Sequence, residues 1–158
     1  VCGGRALSYL SGVYNEAKAI GQRLSVKPLE TEGAVDRLTV ELNAAKERIA
    51  GLEQAVFASI AAEQAGKGDV LLFEPHMRSD SLRRLADAVA KRCGGLAAVF
   101  SGAEGSWAYA LVHSGGEDIS ALVKELNETL HGRGGGRKGF AQGSVAAEQK
   151  TIEHFFER

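Results

Sequence analysis

The chain has 158 residues, of which 44% are hydrophobic and 25% charged, as is ordinary for a globular protein. Its formal net charge is −1, so bulk electrostatics point to no polyanionic partner and a nucleic-acid contact would need a local basic patch. Cys2 and Cys93 lie far apart in the sequence and form no CxxC pair, so neither a disulfide framework nor a zinc site is indicated. No apolar run approaches the roughly 20 residues that span a bilayer. We therefore expect a cytoplasmic protein with no membrane partner.

The first part of the sequence predicts two helices. Apolar residues recur at helical spacing from Leu7 to Leu24, and Pro28 suits the first turn of a second helix. The second helix has a heptad-like seam of apolar residues: Val35, Leu38, Leu42, Ala45, Ile49, Leu52 and Val56. The short break predicts an antiparallel, coiled-coil-like hairpin over residues 1–65. Its remaining apolar surface is expected to meet the globular part or a second chain.

Beyond residue 65 the spacing of the apolar residues changes, and residues 66–158 are predicted to form a small α/β sandwich. Strands are predicted at 70–73, 96–100, 107–112 and 140–142, and helices over 79–91, over 118–130 with Asp118 as N-cap, and from Ser144 onward. The fold class is therefore α+β, a helical arm followed by a sandwich with a mixed sheet and a Gly-rich loop.

The most informative stretch is GRGGGRKGFAQGS, from Gly132 to Ser144. Clustered glycines suit backbone that bends sharply or lies close against another molecule. Cations set among exposed N–H groups suggest that this molecule is anionic, with phosphate the usual ligand. A flexible surface loop explains the same composition equally well. The candidate nucleic-acid-binding residues are Arg133, Gly134, Gly135, Gly136, Arg137, Lys138 and Gln142.

The sequence contains no clear motif of an enzyme active site. The four histidines show no metal-binding spacing, no GxSxG elbow is present, and no GxxxxGK[ST] phosphate loop occurs. A second basic set follows the first predicted strand, and its simpler interpretation is a solvated helix face: Arg83, Arg84, Lys91 and Arg92. No catalytic residue, metal ligand or cofactor is predicted in this chain.

GGGRKGFAQGS, from Gly134 to Ser144, resembles the signature GGGRPxMAQGG of the C-terminal DHH-associated domain of alanyl-tRNA synthetases and free-standing alanyl-tRNA editing proteins. The matching residues are Gly134, Gly135, Gly136, Arg137, Ala141, Gln142 and Gly143. Lys138 stands where proline is usual, and Phe140 replaces a methionine. VCGGRAL at the start is similar to the end of an editing domain, and LSVKP to the link between two arm helices. The likeness is greatest to the long editing proteins, and the chain is expected to be a piece that lacks the editing domain.

The resemblance implies a non-catalytic module that binds tRNA, alanine tRNA in particular, and that forms a homodimer through the arm or the globular domain. In the family, an N-terminal domain with HxxxH and CxxxH zinc motifs hydrolyses mischarged tRNA. Ala6 stands where a CxxxH beginning at Cys2 would need histidine, so zinc is expected only in that other domain. The parent is then expected to be an aminoacyl-tRNA hydrolase. Two alternatives stay open: a purely structural dimerisation domain, and the substrate-binding domain of a DHH-type phosphoesterase.

Overall fold

A computed structural model of the chain describes residues 3–103 and 105–157. Two long N-terminal helices precede a five-stranded mixed sheet with helices, which confirms the predicted α+β class. The chain divides into two compact units, residues 1–49 and 50–158. The predicted boundary between arm and globular domain at residue 65 remains a prediction. Of the helices in the described ranges, none is long and apolar enough to cross a membrane.

The first unit contains α1 (Gly4–Leu24), a single 3-10 turn (Pro28–Glu30) and the first half of α2 (Thr31–Glu63). α1 ends at Ser25, whose φ of 55° lies in the left-handed region. Gly21 is required there, because a Cβ at this position would lie 2.7 Å from the carbonyl oxygen of Val26. The residues of the predicted seam on α2 are about half exposed, at 49% for Leu38 and 54% for Ile49.

The second unit is built on a sheet whose strand order is β1-β2-β3-β5-β4. The strands are β1 (Gly68–Pro75), β2 (Gly94–Ala103), β3 (Ser106–His113), β4 (Arg133–Arg137) and β5 (Phe140–Val145). β1 and β2 are parallel and are joined by α3 (Ser79–Cys93). The other neighbouring strands are antiparallel. α4 (Ser120–Thr129) joins β3 to β4, and α5 (Gln149–Phe156) follows β5.

The two faces of the sheet carry separate cores, because successive strand residues point to opposite faces. On one face α3 packs against β2 and β3, and the last turns of α2 contribute to the same core, which includes Phe57, Ala61, Leu85, Val89, Ala97, Val99 and Ala110. On the other face α4 and α5 cover a core that includes Ala98, Phe100, Tyr109, Leu111, Leu126 and Ile152. The sheet is thus the middle layer of a three-layer unit.

The glycine stretch differs from its predicted form. Residues Arg133–Arg137 make the edge strand β4, paired with β5 along its length, rather than a loop. Glycine is a poor strand former, so the composition predicted irregular backbone. The strand forms here through its pairing with β5, and the close packing of β4 leaves no room for side chains at Gly134 and Gly136.

Two helix starts also differ from the predicted ones. Ser144 belongs to β5 instead of capping the last helix, and α5 begins at Gln149 after Glu148. Asp118 accepts a hydrogen bond from the backbone N–H of Ser120 at 2.9 Å, but the residue at the N-cap position of α4 is Ile119. Asp118 therefore closes the turn before α4 rather than capping the helix itself.

Candidate nucleic-acid interface

Tyr109 and Asn127 join α4 to the end of the sheet that carries the glycine strand. The Tyr109 hydroxyl donates a hydrogen bond to Oδ1 of Asn127 at 3.2 Å, and Nδ2 of Asn127 donates to the carbonyl of Gly134 at 3.2 Å. Burial raises the pKa of Tyr109, and the hydrogen bond to Asn127 partly opposes this rise. The hydroxyl is therefore a protonated donor at neutral pH, and one amide group positions β4 against α4.

Three of the glycines in this region are explained by close packing. A Cβ at Gly134 or Gly143 would collide with the Tyr109 hydroxyl and with the backbone of the paired strand. A Cβ at Gly136 would collide with the carbonyl oxygen of the residue at the start of β5. Gly135 differs, because no heavy atom lies within 4 Å of the position where its Cβ would be. The backbone of β4 is thus open to an approaching molecule at Gly135.

The register of β4 and β5 determines which predicted site residues lie together. The directly opposed pairs are Arg133–Ser144, Gly135–Gln142 and Arg137–Phe140. Opposed residues of antiparallel strands share a face, and Gln142 is opposed to Ala110, which belongs to the core beneath α3. Arg133, Arg137 and Gln142 are all exposed. The predicted arginines and the amide therefore lie on one open face at the end of the sheet, beyond α3.

The opposite face of β4 is a groove of about 360 Å³ between the strand and α4. Lys124 and Asn127 line it together with the glycines of β4, and Arg137 and Phe140 border it at the end of the strand. Lys138, in the turn between β4 and β5, lies on this side close to a carboxylate. Hydrogen bonds from Ser120 lower the pKa of Asp118, and the positive charge of Lys138 adds to the lowering. An ionised carboxylate beside Lys138 makes this side less suited to a polyanion than the face with Arg133 and Arg137.

Arg83 is a candidate that the sequence analysis did not connect with the glycine stretch. It is exposed on α3, and its Cζ lies 4.9 Å from the centroid of the Phe140 ring. Its neighbour Arg84 turns the other way and forms a 2.9 Å salt bridge with Glu53. Arg84 also donates to the carbonyl of Ala50 at 2.9 Å. In the sequence, this contact is indicated only by the adjacent arginines Arg83 and Arg84, and their spacing does not show which of them reaches β5.

Comparison with known proteins places this arrangement in a family. Residues 54–157 match the model of the DHHA1 domain. The chain belongs to the DHHA1 domain family. This confirms the predicted resemblance to the DHH-associated domain of alanyl-tRNA synthetase-related proteins.

This DHHA1 domain is similar to parts of longer proteins. Alanine–tRNA ligases from two strains of Thermus thermophilus are each 29% identical to it, over 97% of this chain and 18% of the ligase. An alanine–tRNA ligase of Pyrobaculum neutrophilum is 30% identical, over 99% of this chain and 17% of the ligase. The C-Ala domain of Aquifex aeolicus alanyl-tRNA synthetase matches with a TM-score of 0.45 at 21% identity, over 57% of this chain and 86% of that chain. The chain spans less than a fifth of the length of these ligases.

The rest of the second basic set lies elsewhere on the DHHA1 domain. Lys91 and Arg92, near the end of α3, line a groove of about 450 Å³ between α2 and α3 that does not include Phe140. Within the described ranges, no group of three or more His, Cys, Asp and Glu side chains is arranged to hold a metal ion. Cys2, the residue at which a CxxxH zinc motif would begin, lies outside the described residues.

Proposed function

We propose that this DHHA1 domain is a non-catalytic module that binds tRNA through the exposed face of β4 and β5. The observation that carries the proposal is the strand register, which brings Arg133, Arg137 and Gln142 to one open face. A guanidinium group binds phosphate oxygens in a bidentate manner, and the amide of Gln142 suits a ribose hydroxyl. The open backbone at Gly135 lets a nucleic-acid strand approach the sheet closely. Gly134 and Gly136 shape the strand, and Lys138, beside the Asp118 carboxylate in the following turn, contributes less than the two arginines.

The similarity to alanine–tRNA ligases supports tRNA, and alanine tRNA first, as the nucleic acid. Contacts to phosphate and ribose hold the RNA in place without reading its sequence. We therefore expect this domain to position tRNA and to leave the recognition of particular bases to other parts of a larger protein. With a net charge of −1, affinity should depend on the local arginine cluster and fall steeply with salt.

For the protein as a whole, we propose an alanyl-tRNA editing or synthetase-like protein of the cytoplasm. The VCGGRAL and LSVKP segments support the editing version, and the ligase relatives support the synthetase-like one. In either version this domain supplies tRNA contacts, while chemistry on the aminoacyl group belongs to another domain.

The direct test is binding of the chain to a fluorescent alanine tRNA transcript, followed by anisotropy across a salt series. A plain RNA duplex of similar length is the control ligand. We expect salt-sensitive binding that is tighter for the folded tRNA than for the duplex. Absence of binding at low salt would contradict the proposal.

A second candidate function is dimerisation through α2, and the exposed seam favours it. Leu42, at 55% exposure, and Leu52, at 62%, belong to the same exposed apolar stripe as Leu38 and Ile49. Sedimentation velocity over a range of concentrations tests this candidate. A dimer that dissociates when Leu38 and Leu42 are replaced by glutamate supports it, and a monomer at every concentration excludes it.

A further inference from the structure

We propose that Arg83 and Phe140 form a stacking site for one unpaired nucleobase, next to the arginines that hold phosphate. The inference rests on the proposed RNA-binding function and adds which part of the RNA is recognised. It assigns to the domain a preference for unpaired nucleotides over duplex.

The geometry of the pair is that of a cation–π contact. The Arg83 guanidinium carbon lies 4.9 Å from the centroid of the Phe140 ring, within the roughly 6 Å over which such contacts attract. Phe140 is partly buried in β5, whereas Arg83 is exposed on α3. A ring held by a strand and a planar cation held over it make a preformed surface of the kind on which nucleobases stack.

Arg83 is free to take part in such a contact. Within the described ranges it forms no salt bridge, although Asp80 and Asp87 lie one turn away on the same helix. Arg84 is the contrasting case, because Glu53 and a backbone carbonyl occupy its guanidinium. Binding a base at Arg83 therefore requires no internal ion pair to break.

The stacking site adjoins the proposed phosphate contacts. Phe140 is directly opposed to Arg137 in the β4–β5 register, and Arg133 lies on the same face four residues earlier. Four residues of extended strand measure about 13 Å, which exceeds the length of a single nucleotide unit. A strand of RNA running along β4 can thus place phosphates near Arg133 and Arg137 and a base on the outer face of the Arg83 guanidinium, which Phe140 supports from below.

The occupant is an unpaired base rather than a duplex. Bases inside a duplex are stacked on each other and offer no free face, whereas bases in loops and bulges can be splayed out onto a protein surface. The three arginines on this side of the sheet give the positive charge that an RNA backbone requires. An acidic protein segment would satisfy that charge but would have no flat ring for the pair to hold.

The test compares an RNA hairpin that carries 2-aminopurine in its loop with a fully paired duplex of the same length. The variants are Arg83→Gln, Arg83→Lys and Phe140→Leu, with Arg92→Gln as the matched loss of charge on the same helix. We expect Arg83→Gln and Phe140→Leu to weaken hairpin binding about tenfold, and Arg92→Gln to leave it unchanged. Stacking should also change 2-aminopurine fluorescence when the native chain binds, and this change should disappear in Arg83→Gln.

Arg83→Lys separates stacking from charge. Lysine keeps the positive charge but lacks the planar group, so we expect hairpin binding to weaken while its salt dependence stays the same. Native affinity in Arg83→Lys, or an equal loss on hairpin and duplex, would overturn the stacking site. If Phe140→Leu lowers the unfolding midpoint so far that the domain is not folded, the two Arg83 variants decide.

Failure of this inference is distinct from failure of the proposed function. If Arg137→Gln weakens RNA binding but Arg83→Gln behaves like Arg92→Gln, the stacking site is wrong and the phosphate contacts remain. If the native chain binds neither RNA, both proposals fall together.

Discussion

The Tyr109 hydroxyl and the Asn127 amide meet at 3.2 Å on the α4 side of the sheet, directly beside the glycine strand. The same amide donates to the carbonyl of Gly134, so one side chain connects β3, α4 and β4. This link explains why β4, at the edge of the sheet and with no apolar side chain of its own, is nevertheless held in place.

Two neighbouring glycines in β4 should respond differently to an added methyl group. In Gly136→Ala the methyl meets the backbone of β5, so the strand must shift, and we expect the free energy of unfolding to fall by about 1–3 kcal/mol. In Gly135→Ala the methyl enters open space, and a change within about 0.5 kcal/mol is expected. Urea denaturation of both variants measures the difference. Equal losses would contradict the packing explanation.

Tyr109 makes stability depend on pH in the alkaline range. Burial raises its pKa above the ordinary value of 10.0, so the folded state holds the phenolic proton to higher pH than the unfolded state does. The contribution of the protonated Tyr109 hydroxyl to the free energy of unfolding is complete below pH 10, and it is lost as pH rises from there through the folded-state pKa. The unfolding free energy of the native chain should therefore fall more steeply above pH 10 than that of Tyr109→Phe. Parallel curves for the two proteins would show that Tyr109 ionises equally in both states.

Arg84 and Arg83 are adjacent but should have separate effects. Arg84→Gln removes the salt bridge to Glu53 and a hydrogen bond to a backbone carbonyl; because both charged side chains are partly exposed, we expect a loss of only about 1 kcal/mol of stability. Arg83→Gln removes no internal ion pair and should leave the unfolding midpoint close to native. RNA binding should show the reverse order, with Arg83→Gln the weaker binder. Thermal unfolding and anisotropy on the same samples measure both.

The two faces of β4 should differ in their contribution to RNA binding. Arg133→Gln removes charge from the open face alone, and Arg137→Gln removes it from the end of β4, where that face meets the groove. Each should weaken tRNA binding and reduce the slope of log affinity against log salt by about one. Lys124→Gln removes the same charge from the groove beside α4 and should leave both quantities unchanged. Binding that depends on Lys124 but not on Arg133 would place the RNA on the α4 side instead.

Much of the fold was predictable because local patterns agree with the tertiary structure. The helix predicted over 79–91 is α3 (Ser79–Cys93), and the strand predicted at 107–112 is β3 (Ser106–His113). In each element, the spacing of the apolar residues places them on the face that packs in the core. The last helix began later than predicted because Ser144 extends β5, where strand pairing outweighs its capping preference.

By itself, the sequence determined the α+β class, the glycine and arginine motif and the membership of a family that the motif indicates. Only the tertiary structure decided that the glycines form a strand, because the space they leave is filled by Tyr109 from two strands away and by the backbone of β5. It also decided which of two adjacent arginines reaches Phe140 and which is bound to Glu53. Both outcomes depend on contacts between residues far apart in the chain, and local propensity and spacing carry no information about such contacts.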